Sequence, residues 1–217
     1  MSETTLLSYE PAHGVLPAPT GHTPPATMEL PAPHLGGGAV LMTALAQRKS
    51  VRAFSTAPLS LQQLSELLWA ADGVNRPEIR GRTAPSPHGL NVIDIYAALP
   101  EGVYRYEPVP HRLVLRRAVD ARNLTGYQDF VSQAPLDIVY VINHARADQL
   151  PPPQRASFAA VTAGAICQNV SLYCASAGLA TVVRGWINHR LLAEALSLNE
   201  DEVPVLAQTV GHPQPGA

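Results

Sequence analysis

The order in which helical and strand-like patterns follow one another constrains the fold of this chain most. From Ala39 onward the sequence reads as two helices, a strand, a β-hairpin, a strand, a long helix, a strand, a helix and a last strand. A doubly wound parallel sheet requires strands and helices to alternate strictly, and this order does not. The pattern therefore predicts an α+β fold.

End signals and hydrophobic periodicity define the individual elements. In PLSLQQLSELLWAADG, Ser60 and Gln63 form a capping box, leucines recur at helical spacing, and Gly73 provides a stop. The segment APLDIVYVINH is apolar at nearly every position, which is typical of a buried strand. A helix is predicted from about residue 154 to residue 176, ending at Gly178. Small and polar residues interrupt its uncharged stretch, so we interpret it as a buried helix and not as a membrane span.

The connecting segments are predicted from their turn residues. RPEIRGRTAPSPHGLN is rich in proline, glycine and arginine, which predicts a loop. GVYRYEPVPHRLVLRR consists of two β-rich runs around a proline-interrupted turn, which predicts a hairpin. Short helices are predicted near residues 120–124 and 127–132.

The first part of the chain differs in composition from the rest. Residues 1–37 contain seven of the 21 prolines, and such a sequence sustains neither a helix nor a sheet ladder. We therefore divide the chain into a proline-rich arm at 1–37, partly disordered or wrapped over the body or a partner subunit, and a globular domain at 38–217.

Composition excludes several classes of protein. A net charge of -2 argues against a nucleic-acid or anionic-membrane binder, which usually carries a basic face. The N-terminal residues lack the basic and apolar regions of a secretory signal. Cys167 and Cys174 lie too far apart along one helix for a disulfide and are interpreted as buried thiols. Together these features predict a cytoplasmic protein.

One short segment gathers charge in a chain that uses little of it. QRKSVRAFS places Arg48, Lys49 and Arg52 around the hydroxyl of Ser50, at the end of a predicted helix. Guanidinium forks and a hydroxyl suit phosphate oxygens, but cations also cap helix C-termini. Taken alone, the segment favours the interpretation that its cations cap the C-terminus of the predicted helix. The chain contains no Rossmann glycine motif, no P-loop and no nucleophile elbow, and its histidines show no metal-ligand spacing.

The other segments change this interpretation. RKSVRAF, PLSLQQLSELLWAADG, TAPSPHGLNVIDIY, AGLATVVRGWI and LAQTVGHP, in this order, resemble the nitroreductase family of flavin enzymes over residues 39–213. The inserted EGVYRYEPVPHRLVL hairpin is similar to the SagB/ThcOx-type branch. The resemblance implies a nitroreductase-like α+β fold, with a mainly antiparallel or mixed central sheet flanked by helices. It also implies a homodimer with FMN bound at the subunit interface.

The resemblance assigns the charged segment to the flavin. Arg48 and Ser50 would hold the FMN phosphate and ribityl end, and Arg52 would reach the pyrimidine edge of the ring. Family members often carry a cation beyond the last turn, whereas GHPQPGA contains none. Phosphate binding would therefore depend more heavily on Arg48 and Ser50, with Lys49 as a further candidate.

Further segments match family motifs around the flavin: Pro85, Ser86 and Asn91; Arg184 and Gly185; and Gly211 and His212. The first set would pack on the isoalloxazine from the partner subunit. The second would bring backbone close to the N5 and O4 edge, where a glycine permits close approach. The third would form a closing turn near the phosphate. No protein residue is assigned as catalytic and no metal is expected.

The implied function is that of an FMN-dependent oxidoreductase. NAD(P)H would reduce the flavin, and an electron-poor small molecule such as a nitroaromatic or a quinone would then accept the electrons. Two alternatives stay open: an FMN-dependent dehydrogenase or oxidase of a peptide azoline or small metabolite, and a non-catalytic flavin-binding protein.

Overall fold

The protein folds around a seven-stranded sheet in which every neighbouring pair is antiparallel. The structure, a computed structural model, describes residues 23–215 together with Leu16, Ala18 and Gly21. The strands are β1 (Thr27–Glu29), β2 (Val74–Arg76), β3 (Gly81–Arg82), β4 (Ile93–Leu99), β5 (Gly102–Glu107), β6 (Arg112–Arg117), β7 (Leu136–Asn143), β8 (Ala180–Arg184) and β9 (Glu202–Gly211). The sheet order is β1-β6-β5-β4-β7-β9-β8, and β2 and β3 form a separate two-stranded ribbon.

Helices cover both faces of the sheet, which confirms the α+β class. They are α1 (Leu41–Gln47), α2 (Leu61–Asp72), α3 (His144–Ala147), α4 (Pro152–Ala177) and α5 (His189–Ala195). One core joins α2 and α4 to the sheet through residues such as Leu67 and Ile166. A second core joins α5 to the other face through Leu192 and Val139. The strand β7 is therefore covered on both sides, which explains its apolar sequence.

The predicted helix ends are confirmed. The Ser60 hydroxyl accepts a hydrogen bond from the Gln63 N–H at 3.1 Å, and the Gln63 side chain accepts one from the Ser60 N–H at 2.9 Å. The helix α2 ends before Gly73. The helix α4 ends at Gly178, which adopts the left-handed conformation with φ of 70°.

Two local predictions were wrong, and one short helix was not predicted. The predicted loop after Gly73 contains the β2–β3 ribbon, whose strands have only three and two residues and carry no hydrophobic alternation. Residues 127–132 form turns and not a helix, while a 3₁₀ turn occupies Arg122–Leu124. The one-turn helix α3 was not predicted, because it is too short for a periodic pattern.

Part of the proline-rich segment belongs to the sheet. Thr27–Glu29 forms the edge strand β1, paired with β6. The following residues lie on α2: the Pro31 carbonyl accepts a hydrogen bond from the buried Ser65 hydroxyl, and Gln62 donates to the Ala32 carbonyl at 3.0 Å. Residues 1–15 lie outside the described part, and the division of the chain at residue 37 stays a prediction.

The helix α4 is long and apolar enough, by length and composition alone, to cross a membrane. Its buried residues, Ile166 and Val170 among them, pack in the same core as α2. Buried core helices commonly have this length and composition as well. Cys167 and Cys174 on α4 are buried free thiols, as expected.

Candidate cofactor site

The charged segment after α1 lies against one end of the sheet. The helix ends at Gln47, and Arg48 leaves it with φ of -58° and ψ of 118°, so the chain turns into an extended run. The Val51 N–H donates to the Thr181 carbonyl of β8 at 2.9 Å. This hydrogen bond fixes the extended run at the start of β8.

The C-terminal turn holds the same segment from the other side. The Ser55 N–H donates to the His212 carbonyl at 2.9 Å, and Phe54 and Pro213 form an isolated β-bridge. Gly211 lies in β9, where a Cβ would come within 2.7 Å of the Pro135 Cδ. Gly211 and His212 therefore support the charged segment through their backbone and packing.

The side chains of the charged segment are exposed and have no internal partner. Arg48, Lys49, Ser50 and Arg52 are all exposed, and none forms a side-chain hydrogen bond or ion pair with another residue that the structure describes. The arginines therefore do not cap α1 through their side chains. A cluster of donors without an acceptor suits an anionic ligand, and phosphate is the group that guanidinium forks and a hydroxyl bind best.

A cleft adjoins this segment. It has a volume of about 270 Å³ and is lined by Lys49 and Val51, by the C-terminal end of α4 and by the first residues of β8. Thr181 and Pro213 complete its wall. The donor set and this concave surface together fit the phosphate end of a nucleotide-like cofactor.

The segment from Pro85 to Asn91 forms a compact turn. The Asn91 N–H donates to the Ser86 hydroxyl at 2.8 Å, and the Asn91 amide donates to the Gly89 carbonyl at 3.0 Å. Asn91 adopts φ of 48°, a conformation that asparagine tolerates better than most residues. Pro85 is exposed at the start of the turn. Ser86 and Asn91 are therefore joined within one turn, and their role at a flavin stays a prediction.

The two halves of the predicted site lie far apart within one protomer. The turn leads into β4, where Ile93 is the register partner of Ile142 in β7. Ile142 is in turn the partner of Val203 in β9, so the turn lies near the Val203 end of β9. The charged segment is bonded to Thr181, which is level with Val210 of β9. Seven residues of β9 separate these levels, or about 24 Å at the rise of an antiparallel strand. A cofactor of ordinary size does not reach both segments of the same protomer.

The guanidinium of Arg184 is occupied in the core. It pairs with the Asp137 carboxylate at 2.7 Å, donates to the Thr209 hydroxyl at 2.8 Å and donates to both the carbonyl and the hydroxyl of Thr125. Burial raises the pKa of Asp137 to about 6 in spite of this partner. Only the backbone of Arg184 is left for the predicted cofactor contact. Sequence reasoning missed this network because its members lie in four separate segments.

The backbone after β8 is accessible. Gly185 is exposed, and among the described residues beyond its two chain neighbours a Cβ there would have only the Leu206 side chain within 4 Å, at 3.5 Å. Trp186 is 58% exposed and packs against Tyr127 with 5.3 Å between ring centroids. A flat ligand can therefore approach the Gly185 backbone beside an indole ring. Tyr127 was not among the predicted site residues.

The described residues contain no candidate metal site. Among residues 23–215 and the three described before them, no group of three or more His, Cys, Asp or Glu side chains is placed to hold a metal ion.

Comparison with known proteins identifies the family and the fold. The sequence model of the nitroreductase family matches residues 45–212. A protein of Methanocaldococcus jannaschii, provisionally named a nitroreductase, is 31% identical over 182 residues, which cover 77% of this chain and 88% of that protein. The chain belongs to the nitroreductase family. Membership makes it an oxidoreductase.

Solved structures agree with this assignment. The crystal structure of a provisionally named nitroreductase from Ralstonia eutropha JMP134 superposes with a TM-score of 0.90 at 57% identity, covering 96% of this chain and 99% of that chain. An NADPH:FMN oxidoreductase from Vibrio harveyi, complexed with NAD⁺, shares the fold at a TM-score of 0.60 and 21% identity, covering 80% of this chain and 69% of that chain. The nitroreductase fold expected from the sequence is thus confirmed.

Proposed function

We propose that this nitroreductase is an FMN-dependent NAD(P)H oxidoreductase that reduces electron-poor small molecules such as nitroaromatics or quinones. The observation that carries the proposal is the exposed cluster of Arg48, Lys49, Ser50 and Arg52 beside a cleft, without an acceptor among the described residues. The family and the NADPH:FMN oxidoreductase of Vibrio harveyi, which shares this fold, support the choice of cofactor.

The charged segment would hold the phosphate of FMN. Arg48 and Ser50 would donate hydrogen bonds to phosphate oxygens, and Lys49, which lines the cleft, would supply a further positive charge. The hydrogen bonds from Val51 to Thr181 of β8 and from Ser55 to His212, just after β9, fix the backbone of this segment. The donors are therefore positioned before the cofactor binds, which lowers the entropy cost of binding.

Two copies of the chain would complete each site. Because the Ser86 turn and the charged segment lie about 24 Å apart along β9, the turn would reach a flavin held by the partner. Exposed apolar side chains on α1 and α4 suit a subunit interface: Leu41 at 63%, Met42 at 73%, Leu45 at 44% and Val161 at 65%. We therefore propose a homodimer with FMN at its interface.

The residues around the ring would orient the reactants. Bound FMN supplies the chemistry, because it accepts a hydride from NAD(P)H and passes electrons to the acceptor. The Gly185 backbone would approach the N5 and O4 edge, and the exposed face of Trp186 would border the position of the nicotinamide or the acceptor. Arg52 would place positive charge near the pyrimidine edge, where negative charge develops on reduction.

The test is the absorption spectrum of the purified protein before and after anaerobic addition of NADH and NADPH. We expect an oxidised-flavin spectrum that a nicotinamide bleaches and that a quinone or nitroaromatic restores. The variant Arg48→Ala should bind FMN roughly 10-fold or more weakly, since it removes charge-assisted hydrogen bonds to the phosphate. Arg190→Ala is the matched control, because Arg190 has a side chain that is 80% exposed and lies outside the proposed site.

The same experiment separates the alternatives. A colourless protein that cannot be reconstituted with FMN contradicts the proposal. Bound FMN that is reduced by a peptide or metabolite but by neither nicotinamide indicates a substrate dehydrogenase. Bound FMN that no donor reduces indicates a flavin-binding protein without turnover.

A further inference from the structure

A second polar cavity lies at the other end of the sheet from the charged segment. It has a volume of about 160 Å³ and lies beside the start of β4. Its charged lining comes from five separate elements: Asp72 of α2, Arg82 of β3, Asp94 of β4, Arg105 of β5 and Arg146 of α3. Asn91, at the end of the turn that begins at Pro85, also lines the cavity, but none of these five charged residues has a role in the proposed flavin site.

The charges in the cavity do not cancel. Asp94 is shared by two arginines, with Arg105 at 3.2 Å and Arg146 at 2.8 Å, while Asp72 lies 3.9 Å from Arg82. Glu107 at the wall forms a 2.8 Å pair with an arginine outside the cavity, so it contributes no net charge. Three arginines against two aspartates leave one positive charge in excess.

The arginines also have hydrogen-bonding capacity to spare. The Nε atoms of Arg82, Arg105 and Arg146 are buried and have no hydrogen-bond partner among the described residues. The Asp94 Oδ2 atom and the Arg146 Nη2 atom also lack a hydrogen bond there, but they form an ion pair with each other at 2.8 Å. A buried donor without a partner is costly, and buried charged donors in native proteins are normally satisfied by protein, water or a ligand. An anion in the cavity would meet both the excess charge and the free donors.

The size and the remaining wall of the cavity narrow the choice of anion. The turn between β5 and β6 contributes Pro108, Val109 and Pro110 to the lining, and Ile93 of β4 adds a further apolar side chain. A cavity of about 150 Å³ in another protein holds benzene, so this one accommodates a small organic acid. We propose that the cavity is a binding site for a small monocarboxylate with an apolar body, whose carboxylate lies among Arg82, Arg105 and Arg146.

Asp72 makes this binding pH-dependent. Burial raises the pKa of Asp72 to about 7. The groups around it are Arg82, Asp94 and Arg146, and the Tyr106 hydroxyl, whose own pKa is raised by burial. Below pH 7 Asp72 is neutral and the cavity gains a further unit of positive charge. Carboxylate binding should therefore strengthen as the pH falls from 8 to 6.

The experiment is isothermal titration calorimetry of the full-length protein as purified, with sodium pivalate as the probe and sodium chloride and sodium phosphate at equal ionic strength as comparisons. We expect saturable binding of pivalate with one site per chain. Arg82→Gln should weaken it roughly 10-fold or more through the lost charge-assisted hydrogen bond. Asp72→Asn removes the opposing charge without changing shape, so it should tighten binding at pH 8 and abolish the pH dependence.

The opposite signs of the two variants distinguish a site from general destabilisation. If Arg82→Gln does not fold, the tighter binding of Asp72→Asn still decides the question. Arg190→Gln, on the exposed face of α5, should leave binding unchanged. The inference is overturned if pivalate does not bind, which would leave the cavity to water, if phosphate binds and pivalate does not, or if neither Asp72→Asn nor Arg82→Gln alters the affinity.

Discussion

The buried pair between Arg184 and Asp137 offers the sharpest test of how this fold is held together. Arg184 ends β8, and its guanidinium reaches across β9 to Asp137 of β7, with side-chain exposures of 4% and 0%. The change to make is Asp137→Asn, which preserves shape and removes one charge. It leaves a cation buried next to the Phe130 ring with no carboxylate to oppose it.

The expected loss follows from that burial. Removing one partner of a buried ion pair costs about 3–5 kcal/mol, because the remaining charge stays desolvated. For a domain of this size, 1 kcal/mol corresponds to about 2–4 °C in the melting temperature. Asp137→Asn should therefore melt roughly 6–20 °C below the wild type. Replacing both partners, as Asp137→Leu with Arg184→Met, should recover most of the loss.

The assay is thermal unfolding followed by circular dichroism at fixed protein concentration and pH 8, where Asp137 is ionised. Glu194→Gln is the matched control, because its pair with Arg190 is 3.9 Å long and the two side chains are 80% and 52% exposed. An exposed pair of this kind contributes less than about 1 kcal/mol. A loss from Asp137→Asn no larger than that from Glu194→Gln would refute the reasoning.

Three further predictions concern α4 and the end of α2, and each has a simple measurement. Gly178→Ala should lower the free energy of unfolding by about 1 kcal/mol, because Gly178 has a left-handed conformation. Gly164 lies inside α4, and apart from its own helix turn no described residue has an atom within 4 Å of a Cβ there, so Gly164→Ala should raise the free energy of unfolding by about 0.5–1 kcal/mol in the same melts. The pKa of Asp72 rises from 3.8 to about 7 on folding, so its neutral form is favoured in the native state. The free energy of unfolding should therefore fall between pH 4 and pH 7, and melts of Asp72→Asn across this range should show a shallower fall. Burial raises the pKa of Cys167 to about 12 and also raises that of Cys174, so a thiol reagent should label both only after denaturation; rapid labelling of the native protein would contradict their burial.

Most of the fold could be predicted because its elements carry local signals. The capping box of Ser60, the stop at Gly178 and the continuous apolar run of β7 each determine an element from a few neighbouring residues. The failures are elements without such signals. The β2–β3 ribbon and α3 have between two and four residues per element, too few for a period, and β1 lies in a segment dominated by proline.

The candidate site was predictable only where its residues are contiguous. The segment from Arg48 to Arg52 and the motif from Pro85 to Asn91 are short runs, and resemblance to the family located both. The sequence does not show that Arg184 forms a buried ion pair. Its partners Asp137 and Thr209 are distant in sequence and meet Arg184 only through the pairing of β7, β8 and β9, and Thr125 comes from a further segment. The cavity around Asp94 could not be predicted either, because its lining residues come from separate elements.

The network around Arg184 connects the stability of the sheet with the proposed chemistry. Gly185 and Trp186 follow Arg184 directly, and the Thr125 carbonyl that Arg184 contacts begins the segment that carries Tyr127, the partner of Trp186. One buried guanidinium therefore fixes both sides of the surface on which a flavin ring would lie. The two terminal nitrogens of the guanidinium bind Thr125, Thr209 and Asp137, while its Nε is buried without a partner among the described residues. Movement of either side would break several of these contacts, so we expect the surface to be rigid. Asp137→Asn should consequently weaken FMN binding as well as stability, even though Asp137 itself is buried and lies outside the proposed flavin contacts.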